Sequence, residues 1–222
     1  MESDVVHSIL VELMSLDKYY DCHFNFIKKH ANDEDCSVRS ICAAALFNFN
    51  EKEEAKDILL KLTKDPAEFV RTEAYDSLSA FKSVDVAAYL LSAITEETDS
   101  LARRYAIHAW VDIVHDISDC FDDDITFLKA LEVKGMEDEC ILACCRGLYF
   151  FGESEYFEKT TAFLTHRDYH LRCSVLNMLL EFYYNDNSVK NQIEEAINTL
   201  LKTETSIAVI STAKKTLKQM YN

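Results

Sequence analysis

Three small-or-aliphatic plus arginine pairs, Val38-Arg39, Val70-Arg71 and Ala102-Arg103, set their arginines 32 residues apart. A fourth pair, Leu171-Arg172, lies 69 residues further on, a gap of two slightly longer periods. One unit is therefore expected to have lost its arginine, near Cys140 in the stretch MEDECILACC. Acids precede each pair (Asp33 and Asp35, Asp65, Glu97 and Asp99, Asp168), and a small or aliphatic residue follows three positions after each arginine: Cys42, Ala74, Ala106, Val175. Self-similarity at a fixed period means that each unit is one supersecondary element, which buries its apolar face only by stacking on its neighbours.

The stretch VRTEAYDSLSAF sets Val70, Ala74, Leu78 and Phe81 on one helical stripe. Asp65 is placed to cap the amides ahead of it, and Pro66, the single proline, needs no backbone donor at a helix start. Between the arginine helices lie amphipathic segments of about three turns, such as EEAKDILLKLTK, VDVAAYLLSAIT and SEYFEKTTAFLT, so one unit reads as two antiparallel helices. Three glycines and one proline leave little material for hairpins or phosphate-binding loops, and 49% hydrophobic residues supply a substantial core. The expectation is an all-α protein: an α-solenoid of six or so antiparallel helix pairs with a period of 32–37 residues, forming a single domain over residues 1–222.

The order helix, acidic turn, V-R-x-x-A-x-x-x-L resembles the HEAT and HEAT-like repeats over roughly residues 18 to 184. The period is shorter than the 40 or so residues usual there. The resemblance implies that the arginine helix is the inner one, lining a concave face. It also implies that Asp35, Asp65, Asp99 and Asp168 with Arg39, Arg71, Arg103 and Arg172 form a structural ladder between repeats. Tetratricopeptide and ankyrin signatures are absent from the sequence.

Catalytic motifs are lacking: the sequence has no glycine-rich phosphate loop, nucleophile elbow or H-E-x-x-H. His166 and His170 in HRDYH are four apart, but an acid-capped turn falls between them, so no metal site is expected. Eight cysteines in a chain this long, with acids rather than basic residues near the amino terminus, read as free thiols that mostly fill small apolar positions. Alkylpurine DNA glycosylases are also built from HEAT-like repeats, and HAWVDIVHD offers Trp110, Asp112 and Asp116. Trp110, however, shares the apolar stripe of Ala102, Ala106 and Ile113. A net charge of −16 would moreover repel a phosphate backbone.

Charge is the best functional clue. Asp112, Asp116, Asp119, Asp122, Asp123 and Asp124 fall within thirteen residues, a field suited to a cationic protein partner or simply to solvation. With Val70, Ala74 and Leu78 facing inward, the opposite side of the arginine helices carries Tyr75, Asp76, His108, Asp112, His115, Tyr149, Asn177, Glu181 and Tyr184. These nine are the candidate partner-binding residues, since tyrosines among carboxylates suit a protein interface.

The sequence reading is thus a cytoplasmic, non-catalytic protein-binding module with no cofactor, nucleic acid, membrane or small-molecule substrate. In size, repeats and acidity it resembles the HEAT-like immunity proteins of polymorphic toxin systems. That resemblance implies a basic partner, such as a nuclease toxin whose active-site surface is covered. The alternative is a constitutive scaffold or adaptor subunit of a larger complex.

Overall fold

The computed structural model describes residues 2–133 and 135–221. Thirteen α-helices and no strand occur among the described residues. They fall into two compact units, Met1–Phe121 and Asp122–Asn222.

The first unit holds α1 (Glu2–Met14), α2 (Asp21–His30), α3 (Cys36–Leu46), α4 (Glu53–Leu62), α5 (Glu68–Leu78), α6 (Val84–Glu96) and α7 (Ser100–Ile117). Helices α2, α4 and α6 each pack on the helix that follows, giving three pairs. The inner helices stack in series, α1 on α3, α3 on α5 and α5 on α7. The apolar stripe read from the sequence forms the seam: Val70, Ala74 and Leu78 are fully buried, as are Val38, Cys42 and Leu46 on α3 and Ala102, Ala106 and Ile113 on α7. Small residues at these positions let consecutive inner helices approach closely, and Trp110 fills the remaining space as a buried core aromatic.

The second unit holds α8 (Asp122–Val133), α9 (Asp138–Phe150), α10 (Tyr156–Ala162), α11 (Tyr169–Asn185), α12 (Lys190–Leu201) and α13 (Ile207–Gln219). Helix α8 packs on α9 and α12 on α13, α10 packs on α9 and meets α11 through the 3-10 turn Phe163–Thr165, and the inner helices α9, α11 and α13 again pack in series. Cys140, Cys144 and Leu148 on α9 take the buried stripe, followed by Val175, Leu179 and Phe182 on α11 and by Val209 and Ala213 on α13. Among the described residues the chain is therefore an all-α solenoid of stacked helix pairs preceded by α1.

Local signals account for the helix starts. Asp35, Asp99 and Asp168 are N-caps, accepting from the amides of Ser37, Ala102 and His170. The proline sits one step earlier than the sequence reading placed it: α5 begins at Glu68 behind Ala67, and Pro66 lies in the bend before the cap. Asp65 still serves that bend, accepting from the Ala67 amide at 2.9 Å. Gly152, with φ 98°, closes the turn after α9 in a conformation that L side chains rarely adopt.

Candidate functional site

The arginines form a ladder, with a different set of acids from the one expected. Arg39 grips Asp65 through Nε and Nη2 at 2.7 and 2.8 Å. Arg71 grips Glu97 at 2.9 Å through both nitrogens, and Arg172 grips Glu204 at 2.7 and 3.0 Å. In each case Nη1 also donates to two carbonyls of the arginine's own turn: Asp33 and Glu34, Asp65 and Pro66, His166 and Arg167. Arg103 donates to the Glu97 carbonyl. One guanidinium thus ties its own turn to the next one, a geometry that the planar fork of arginine permits and lysine does not.

Of the expected ladder acids only Asp65 holds that place. Asp35, Asp99 and Asp168 are occupied as N-caps, and the carboxylates that the arginines reach sit two residues earlier in the turn, as Glu97 does, or in the last turn, as Glu204 does. The acid at this earlier position also accepts the amide two residues on, as Asp33, Asp65, Glu97 and Glu204 all do. The carboxylates of Asp65, Glu97 and Glu204 are 7%, 4% and 5% exposed, so each arginine neutralises a buried charge. Burial pushes Asp65 and Glu97 up, but the arginine and the turn amides outweigh it and hold both below the ordinary carboxylate range.

Where the repeat lacks its arginine, the partner changes as well. Half-buried Ile141 stands in the arginine's register, one residue past Cys140 on the buried stripe, and His166 stands in place of the next acid. His166 Nδ1 accepts the Asp168 amide at 3.0 Å, so Nε2 carries the proton toward Asp138 Oδ2, also at 3.0 Å. His170 is exposed and lies against the Tyr169 ring at 3.9 Å, away from that pair.

The nine candidate contact residues divide between the units. In the first, Tyr75 is a correction: it is only 3% exposed and its hydroxyl meets Glu97 at 3.4 Å, because α5 is packed on both sides by α3 and α7 and keeps little free surface. Asp76 and His115 reach solvent, and His108 and Asp112 are half-buried. Partial burial of the Asp76 carboxyl raises its pKa, and the charge of Asp112 adds to the effect. Glu73 is raised for the same reasons, burial first and Asp76 second. Lys82 reaches this edge of the first unit, pairing with Asp116 at 2.9 Å and donating to the Asp112 carbonyl at 3.2 Å.

In the second unit, Tyr149 stacks on Phe182 at 3.9 Å, which leaves its ring half-buried. Glu181 is tied to Arg146 at 2.7 Å, so its charge is already matched within the chain. Asn177 and Tyr184 are exposed, Tyr184 at 63%. All eight cysteines are free: Cys42, Cys140, Cys144 and Cys145 are buried, Cys36 and Cys173 half-buried, and Cys22 and Cys120 exposed. Among the described residues no helix is long and apolar enough to cross a membrane.

Residues 25–110 match the family described as HEAT repeats. A chain from the complex of CpcE and CpcF of phycocyanin lyase from Nostoc sp. PCC7120 shares the fold, with a TM-score of 0.62. It is 16% identical, and the match covers 97% of this chain and 87% of that one. At that identity the likeness is one of fold. No curated protein matches the chain.

Proposed function

We propose that the protein is a non-catalytic scaffold, an adaptor subunit that binds another protein through the faces of its stacked helix pairs. The observation that carries this reading is the division of labour among polar side chains. The arginines and turn acids are consumed in holding repeats together, whereas the exposed inner-helix residues Asp76, His115, Asn177 and Tyr184 are contact types with no convergent catalytic geometry. The likeness to a chain that works in a two-protein complex favours an adaptor over the toxin-inhibitor reading. The net charge of −16 keeps a basic protein as the expected partner, in the cytoplasm.

A photo-crosslinking residue placed at Asp76 or Tyr184 tests this in cells of the source organism. A stoichiometric partner whose association slows on Asp76→Lys is the expected result. Absence of any stoichiometric crosslink at both positions overturns the adaptor reading. Capture of a nuclease whose activity falls with one equivalent of this protein would instead establish the inhibitor reading. Glu181 is unsuitable for charge reversal, because its charge is already paired with Arg146, whose side chain is only 12% exposed.

A further inference from the structure

Adjacent outer helices within each unit are stitched by lysines. Lys28 pairs with Glu54 and Lys52 with Asp21, at 2.8 Å for the latter, joining α2 to α4. Lys56 joins α4 to Asp85 of α6 at 2.8 Å, and Lys159 joins α10 to Glu132 of α8 at 3.4 Å. The junction of α10 with α12 breaks the rule. Glu158 on one wall and Glu195 on the other both line it, and among the described residues no lysine or arginine bridges the two helices there. Arg172 lies at its floor, already committed to Glu204.

The same junction is also hollow. Its groove encloses about 850 Å³, against about 550 Å³ for the corresponding groove between α4 and α6. The repeat register explains the difference. Tyr89 stands eight residues before the ladder acid Glu97, and its hydroxyl meets that of Thr63 at 2.5 Å, spanning the smaller groove. The residue eight before Glu204 is Ala196, and the position of Thr63 is taken by Leu164. Losing a phenol and a hydroxyl opens space between walls that mix apolar Leu164, Ala196, Leu200 and Phe157 with polar Thr161, Gln192 and Thr199.

A half-polar hollow with apolar patches, flanked by two carboxylates at a within-unit outer junction that no lysine or arginine bridges among the described residues, has a definite chemical complement. We propose that this groove docks a cationic segment of a partner protein. A lysine or arginine of that segment takes the place between Glu158 and Glu195 that the chain's own lysines take elsewhere, and a neighbouring apolar side chain enters the hollow beside Ala196. This rests on the protein-binding reading above and assigns it a second surface, on the outer helices rather than the inner ones. Two unmatched like charges are tolerated at an open groove because water screens them, and a bound cation removes their repulsion as it displaces that water.

The test uses a fluorescein-labelled, amidated peptide of alternating lysine and leucine, twelve residues long, followed by anisotropy and by methyl NMR of the full chain. Saturable binding at one equivalent is expected, with shifts at Ala162, Leu164, Ala196 and Leu200. The same peptide with glutamate for lysine, or serine for leucine, should bind at least tenfold more weakly. Glu158→Gln with Glu195→Gln removes the charge, and Ala196→Tyr with Leu164→Thr rebuilds the closed groove of α4 and α6. Each pair should weaken binding about tenfold or more while leaving the amide spectrum of the first unit unchanged.

Equal affinity in the Ala196→Tyr/Leu164→Thr protein, shifts confined to residues outside the groove, or no saturable binding would each overturn the proposal. None of those outcomes bears on the crosslinks at Asp76 and Tyr184, so the groove can fail while the adaptor reading stands. Loss of both sets of contacts would remove the adaptor reading as well.

Discussion

Truncating Arg71 to alanine removes four hydrogen bonds in one step: two to the Glu97 carboxylate and two to the carbonyls of Asp65 and Pro66. Breaking a buried ion pair typically costs about 3–5 kcal/mol, because the surviving charge is stranded. Glu97 is not wholly abandoned, since the amides of Thr98 and Asp99 still donate to it at 2.9 Å. The expected loss is therefore about 3 kcal/mol, at the low end of that range. Trp110, the single tryptophan, is buried on α7 in the same unit, so urea unfolding followed by its fluorescence reports on the unit that carries the change.

The pH dependence provides a second, independent check on this reasoning. Glu97 has a folded pKa below its ordinary 4.5, so the stability it contributes is present above pH 4.5 and is lost as pH falls through the lower folded value. Without Arg71 the burial that pushes Glu97 up is opposed by the turn amides and the longer contact from the Tyr75 hydroxyl, and the group then costs stability at neutral pH that protonation relieves. The gap between wild type and Arg71→Ala should therefore narrow markedly between pH 7 and pH 4. Arg71→Lys keeps the charge but not the fork and should fall between the two. Lys64→Ala, at an exposed neighbouring position, should be silent. An unchanged urea midpoint at pH 7, or a loss that is the same at both pH values, would refute the ladder argument.

Further outcomes can be checked directly. Burial pushes the Cys42 and Cys145 thiols up to about 12 and Cys144 up as well, so Ellman's reagent should label Cys22 and Cys120 at once, Cys36 and Cys173 slowly, and the buried four only on unfolding. Gly152→Ala should lower stability by about 1 kcal/mol by calorimetry: a Cβ there meets nothing within 4 Å, so the cost is that of the positive φ alone. Asp76→Asn should raise the melting temperature at pH 7 and have no effect near pH 3, because a carboxyl whose folded pKa is raised weakens the fold once it ionises. Its association with the crosslinked partner should fall, as expected when contact residues are kept at a cost to stability.

The repeat and its buried stripe were legible because both rest on local spacing. Val70, Ala74 and Leu78 must share a face on any helix, and the period of 32 fixes where the next helix repeats it. The ladder acids were misread by two residues. Asp99 and Glu97 both precede Arg103, and a short aspartate suits an N-cap while the longer glutamate reaches the preceding arginine. The signal was available: Asp33, Asp65 and Glu97 keep the 32-residue spacing and each lies six before an arginine. Tyr75 was placed on the open side because a helical wheel has two sides, whereas α5 is packed by helices on three. The α10–α12 groove lay beyond one-dimensional reading. It depends on Ala196, Leu164, Glu158 and Glu195 meeting across two units of the repeat, and no single window contains them.

The arginine link is missing at one step inside the second unit, where Ile141 and His166 replace guanidinium and carboxylate. A stacked array behaves nearly as a one-dimensional chain in which each pair is held by its neighbours. At this step the turns are tied by one bond from His166 to Asp138, whose side chain is 56% exposed, while the helices themselves stay coupled through Arg146 with Glu181, Lys159 with Glu132 and Tyr149 on Phe182. Local opening at these two turns should therefore exceed that at the arginine-tied turns, while the helices on either side remain packed. The interruption in the pattern works as a slack joint: it loosens two turns and leaves the stacked helices in place.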